Sequence, residues 1–214
     1  MSRIGNALRR HGPGRVFRLA VERVADAIYR RKELVFYRVP LEAVLADATT
    51  RAYVETCRFS LLSLEEAREF TGAADDVLRA LRPYLVEDRA GVSVLLAWLD
   101  GAVAGWNMVW VGAAEWPLSE TGTSLTLTRD DAIFYSAYTV PRFRGRHVNR
   151  ALMGETARVA LERGARELWA WHEDWNEAPR KNMTKVGMVR VGTHARMRLL
   201  GQWLTPRCEP LRHE

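Results

Sequence analysis

Apolar positions along this chain change period several times, and each change marks an element. Phe17, Val21, Val24 and Ile28 recur at spacings of four, three and four, the stripe of an amphipathic helix within residues 15–32. Residues 33–39 form an apolar run that Pro40 stops, which predicts a first strand. From 41 to about 85 the pattern is helical: Ser63-Leu64-Glu65-Glu66 has the form of a capping box, Gly72 is a stop, and Asp75 or Asp76 caps another helix. Two apolar runs, 92–99 and 102–111, flank Asp100-Gly101, the strongest hairpin signal in the sequence.

The polar stretch 112–129 contains Pro117 and Gly122 and reads mainly as a loop, with 124–128 as a short edge strand. Residues 132–140 are apolar and aromatic and predict a strand, after which Pro141 and a basic turn lead into a helix that closes at Gly164. A further strand at 167–173 is reached only through that helix, so the two strands run parallel. Asn176 opens a short helix ending at Gly187, and 188–200 supply one or two closing strands. The organisation is therefore an arm (1–32), one α/β domain (33–202) and a loose tail (203–214).

Composition narrows the class. A length of 214 residues with 48% hydrophobic residues suffices for one sizeable core. Cys57 and Cys208 are far apart and show no metal-ligand spacing, so a reducing cytoplasm and no metal are expected. No signal peptide and no membrane span are evident. The net charge of +6 resides in the arm, where nine Arg and Lys face Glu22 and Asp26. Three readings of the arm stand open. Its stripe packs on the domain or on a second copy as a homodimer, or residues 15–32 lie on an anionic membrane surface, which makes the protein peripheral; nucleic acid, lacking any accompanying motif, is not favoured.

The basic turn carries the clearest chemistry. Arg142, Arg144, Arg146 and Arg150 surround the start of a helix, whose first N–H groups lack intrahelical partners and sit at the positive end of the helix dipole. Strand, basic turn and helix together make an anion site suited to phosphate.

The order of elements, and the run Pro141-Arg142-Phe143-Arg144-Gly145-Arg146-His147-Val148-Asn149 followed by Asn176, Lys185, Gly187 and Met188, resembles the GNAT family of acyl-CoA-dependent N-acyltransferases over about residues 92–196. The resemblance implies a mixed twisted sheet whose parallel central strands splay apart between flanking helices. It implies that Gly145, Arg146, His147, Val148 and Asn149 hold the pyrophosphate of acetyl-CoA or another acyl-CoA, assisted by Arg142 and Arg144. Tyr138 and Val140 would offer backbone hydrogen bonds to the pantetheine arm, an N–H near Val140 would stabilise the oxyanion, and Asn176 would complete the gap, beside its simpler role as a helix cap. Two departures stand out: His147 and Asn149 occupy positions that are usually glycine, and Met183 replaces a tyrosine that often serves as the acid.

An amine with a pKa near ~10.4 must lose a proton before it attacks a thioester. The resemblance makes Asp131 the expected base, with Asp130 adjacent; His172 and Glu173 are second candidates, and Tyr135 or Tyr138 supplies an acid. For each of these a structural role competes. The expected reaction is direct transfer in a ternary complex to a small-molecule amine, an amino sugar among the candidates, with tryptophans such as Trp106, Trp110, Trp169, Trp171 and Trp175 available to line a pocket. The alternative is a GNAT-shaped binding module without turnover.

Overall fold

The computed structural model describes residues 29–86, 89–200 and 202–208. The amphipathic stripe of the arm lies outside the described residues. The end of the arm is strand rather than helix: β1 spans Tyr29–Pro40, and Arg31 and Lys32 pair with Met197 and Arg196. The partner strand, β9 (Val189–Leu199), is long enough to extend β1 backwards, a tertiary effect that outweighs the local period.

Helices α1 (Leu41–Ala46) and α2 (Ala48–Glu55) follow, then β2 (Arg58–Ser63), a strand inside the stretch that reads as helical. Among the described residues β2 pairs only with β3 (Ser93–Leu99), so edge pairing, not its own alternation, defines it. Ser63 and Glu66 form the expected capping box at the start of α3 (Leu64–Glu69), and α4 spans Asp75–Leu81. β3 turns at Asp100 and Gly101, both at positive φ, into β4 (Ala102–Val111), as the hairpin signal requires. The stretch read as a loop is a second hairpin, β5 (Ala114–Leu118) with β6 (Thr123–Leu127), forming a sheet of its own. Its unpaired edge tolerates Pro117.

β7 (Asp131–Thr139), α5 (Val148–Glu162), β8 (Glu167–Glu173) and α6 (Glu177–Lys185) follow in the predicted order. Short strands β10 (Gln202–Trp203) and β11 (Arg207–Cys208) pair with β9, so the tail is partly sheet. The main sheet runs β10-β9-β1-β8-β7-β4-β3-β2. α5 packs over β3, β4 and β7 and is itself covered by α1 and α2. Among the described residues no helix is long and apolar enough to cross a membrane.

The sheet forks in its middle. β7 and β8 pair in parallel only at Asp131–Glu167, Ala132–Leu168 and Ile133–Trp169. Beyond these pairs β8 follows β1, which matches it from Glu167 to Glu173, whereas β7 follows β4. A bulge sharpens the divergence: Ser136 and Ala137 together stand opposite Asn107, with Ser136 at φ +51°. The base of the fork is clasped by Asp131, whose carboxylate accepts Trp169 Nε1–H at 2.8 Å and the backbone N–H and hydroxyl of Thr128, each at 2.7 Å.

Trp169 is fully buried, so removing its acceptor strands a donor. Asp131→Ala is expected to cost about 1–3 kcal/mol of stability in denaturant unfolding. A loss below about 0.5 kcal/mol contradicts the clasp.

Candidate functional site

Past the bulge, β7 runs into the basic turn. Val140 is buried, its N–H donates to Ala104 O at 2.9 Å, and its carbonyl accepts Phe143 N–H. Buried Phe143 anchors the short 3-10 turn Pro141–Phe143. The chain then passes Gly145 at φ +80° and His147 at φ +60° before α5 begins. The left-handed backbone calls for the glycine, while the side where a Cβ would stand is open space. His147 takes the left-handed conformation without being glycine, and its ring turns away to stack on Tyr53, with centroids 4.2 Å apart and planes 18° from parallel. Side-chain bulk at 147 is thereby drawn off the turn. The N–H groups of Gly145, His147, Val148 and Asn149 have no backbone partners among the described residues, and they stand at the N-terminal, positive end of α5.

The four arginines divide. Arg150 is structural: it meets Asp47 at 2.7 Å, Thr50 Oγ1 at 3.0 Å and Lys185 O at 3.1 Å. Hydrogen bonds from Thr50 and then Arg150 hold the Asp47 carboxyl below its ordinary value, against the opposing effect of burial. Arg146 reaches Asp100 at the hairpin tip, 2.6 Å away, and Arg142 lies over the Phe143 ring. Arg144 is exposed and lines the cavity beside the turn.

That cavity, of about 510 Å³, fills the fork between α5 and α6. β7 contributes residues 134–139, and Arg144, Asn149, Asn176, Asn182 and Met183 close it from the helix side. Asn176 stands at the N-cap of α6, yet its side chain makes no capping bond, so its amide is available to the cavity. Met183 is buried in the wall at the position the resemblance assigns to tyrosine.

The backbone assignment at β7 differs from the expectation. The bonds Gly112 N–H to Asp131 O and Val140 N–H to Ala104 O fix which residues face β4. Counting inward by twos, Ile133, Tyr135 and Tyr138 also face β4, so Tyr138 and Val140 have no backbone groups to spare. Ser136, Ala137 and Thr139 are the residues whose backbone is directed away from β4, into the fork. The bulge shifts the phase by one residue, which a regular strand count misses.

A second cavity, of about 620 Å³, lies on the side of the β5–β6 hairpin. Arg89, Trp116, Ser119, Glu120 and Thr123 line it, and it shares Tyr135, Ser136 and Trp171 with the first. The two cavities thus meet at the bulge. Thr123 Oγ1 lies 3.0 Å from Nδ1 of buried His194. Burial pushes the His194 imidazole below its ordinary value, so it is neutral at neutral pH.

The expected acid–base residues are brought together only in part. Tyr138 lines the first cavity, stacked on Trp106, and Tyr135 lines both. Asp131 does not reach either cavity; it stands five residues before Ser136, on the order of 16 Å along an extended strand, with both oxygens bound in the clasp. His172 is buried, stacks on Tyr37 and donates from Nδ1 to Glu173 O at 2.7 Å; neither it nor Glu173 lines either of these two cavities. Of the tryptophans, Trp171 and Trp116 face the cavities, Trp106 and Trp169 are core, and Trp175 is exposed. Burial raises both cysteine thiols, which disfavours a thiolate at either. Arg89, Glu120, Thr123 and His194 carry no sequence signal, because a hairpin that reads as a loop assembles them.

Comparison with known proteins agrees with this geometry. The sequence model of the acetyltransferase (GNAT) family matches residues 58–188. No curated protein matches the chain. Among solved structures, a functionally unknown conserved protein from Staphylococcus epidermidis superposes with a TM-score of 0.52 at 13% identity, over 84% of this chain and 65% of that one. A glucosamine N-acetyltransferase region of a fungal multi-domain β-N-acetylglucosaminidase superposes with a TM-score of 0.51 at 11% identity, over 82% of this chain and 22% of that one. A ribosomal-protein-alanine N-acetyltransferase from Brucella melitensis is 22% identical over 61% of this chain and 90% of its own, with a TM-score of 0.42. At these identities the structural likeness concerns the fold. The family match covers more than half of the sequence, and the chain belongs to the acetyltransferase (GNAT) family.

Proposed function

We propose that this protein is an acyl-CoA-dependent N-acyltransferase that moves an acetyl or other acyl group directly to a primary amine within a ternary complex. The observation that carries this reading is the meeting of two cavities at the Ser136 bulge, one of them ending in an anion cradle. The first cavity receives acyl-CoA and the second the acceptor. Bound there, acyl-CoA supplies the thioester carbonyl that the amine attacks.

Residues of this chain have distinct tasks. N–H groups from Gly145 to Asn149, with Arg144, hold the pyrophosphate. The free backbone of Ala137 and Thr139 pairs with an amide-bearing arm as an edge strand would, and the bulge N–H groups polarise the thioester carbonyl. Thr123 and His194 form the route by which the acceptor ammonium loses its proton: the hydroxyl lines the acceptor cavity, and the neutral imidazole behind it accepts. Tyr138 and Tyr135 are the phenols beside the departing thiolate, which at a thiol pKa near ~8.5 leaves readily even without them.

Calorimetric titration tests the cofactor half. The native protein is expected to bind acetyl-CoA, and Arg144→Ala to weaken binding about tenfold, in line with loss of a charge-assisted bond. Arg146→Ala, whose side chain is already paired with Asp100, is expected to cost less. Absence of binding for acetyl-CoA and longer acyl-CoAs contradicts the reading.

The proton route is tested by pH. Protonated His194 no longer accepts, and its folded value lies below the ordinary one of about 6.5, so kcat should hold down to pH 6.5 and fall only below it. His194→Gln should lower kcat about 100-fold and remove that acid limb. An unchanged profile in the variant rules the route out.

A further inference from the structure

The acceptor cavity has an electrical character that narrows the amine. Arg89 lies over the Trp116 ring, its guanidinium carbon 4.0 Å from the ring centroid. That contact holds the guanidinium at the cavity wall. One of its nitrogens, Nη1, is shut off from the cavity and has no hydrogen-bond partner among the described residues, so Arg89 meets the cavity through its other atoms. A guanidinium on the wall of a partly enclosed cavity favours an anionic guest, and its planar fork matches the paired oxygens of a carboxylate or phosphate.

Glu120 lines the same cavity at the β5–β6 turn, with Ser119 Oγ–H donating to it at 3.2 Å. No ion pair joins it to Arg89. The wall thus presents one cation and one anion that do not neutralise each other, over an aromatic floor of Trp116, Tyr135 and Trp171. An amine with several positive charges would set one of them against Arg89. An amino sugar without an anion would leave the charge of Arg89 on the cavity wall without a counter-charge.

We propose that the acceptor is a primary amine that also bears an anion, a carboxylate or a phosphate, with the anion received by Arg89 and the ammonium directed toward Glu120. This assignment rests on the acyltransferase reading and names the substrate class of that same site. A cavity of about 620 Å³ suits an amino acid or an amino-sugar phosphate.

The experiment pairs each amine with a partner lacking the anion. Common L-amino acids are run beside their carboxamides, and glucosamine 6-phosphate beside glucosamine, with kanamycin as a polycationic amine; acetyl transfer is followed by release of the CoA thiol. At least one anion-bearing member is expected to exceed its partner about tenfold or more in kcat/KM, mainly through KM, the scale of one charge-assisted hydrogen bond. The class of that pair separates carboxylate from phosphate. Arg89→Gln should erase the preference, lowering kcat/KM for the anion-bearing member about tenfold more than for its partner with acetyl-CoA binding retained, and Arg89→Lys should restore part of it. Equal use of both members, preference for the anion-free member, or equal loss of both in Arg89→Gln overturns the proposal.

A binding arm is independent of turnover. Trp116 and Trp171 face the cavity, so their emission should respond to the anion-bearing amines in the native protein and not in Arg89→Gln. If acetyl-CoA does not bind but this response persists, the acyltransferase reading fails and the anion site stands. If none of the panel alters the emission or is acetylated while acetyl-CoA binds, the acceptor assignment fails alone.

Discussion

The rest of this structure depends on a competition for the edges of β8. One edge is matched by β1 along the strand, and the other by β7 for only three residue pairs. Backbone hydrogen bonds are short-ranged, so a strand held so fully on one side cannot also follow a neighbour that twists away. The sheet divides into a β2-β3-β4-β7 half and a β8-β1-β9-β10 half, joined at the Asp131 clasp and by the crossover through α5. The fork leaves backbone groups of β7 without strand partners deep within the domain, open to water or to an extended, amide-bearing guest.

The turn at the mouth of the fork shows how a left-handed position accommodates a side chain. A side chain at position 147 should crowd an approaching phosphate, but histidine is among the residues that tolerate a left-handed backbone. In that conformation its ring is carried onto Tyr53 of α2, and α2 is held in turn by the Asp47–Arg150 pair. Helix α2 therefore has a specific duty, since it accepts the ring that glycine would not have had. Asn149 turns inward to the cavity, where it joins Asn176 and Asn182 as an uncharged polar lining.

Local chemistry made several parts legible in the sequence. Asp100-Gly101 announced its turn, Ser63 and Glu66 their cap, and Pro141 the end of its strand, because each depends on residues close together in the chain. What stayed hidden was set by distant partners. β1 is a central strand because β8 and β9 close around it, β2 is a strand because β3 has a free edge, and 114–127 is a hairpin that covers a cavity. Asp131 illustrates the same limit at the site: a carboxylate at a strand entrance suits catalysis or a clasp equally until Trp169 and Thr128 are seen to occupy it. The one-residue bulge at Ser136 moved the free backbone from Tyr138 and Val140 to Ala137 and Thr139, a shift with no composition to betray it.

The central claim is that the fork seats acyl-CoA with its reactive end at the bulge, between the two cavities. The most direct measurement is a crystal structure of the protein with coenzyme A. The account predicts the pyrophosphate against the N–H groups of 145–149, the pantetheine amides paired with the backbone of Ala137 and Thr139, and the sulfur beside Ser136. Coenzyme A seated on another surface, or a fork that remains closed to it at saturating concentration, would contradict the account.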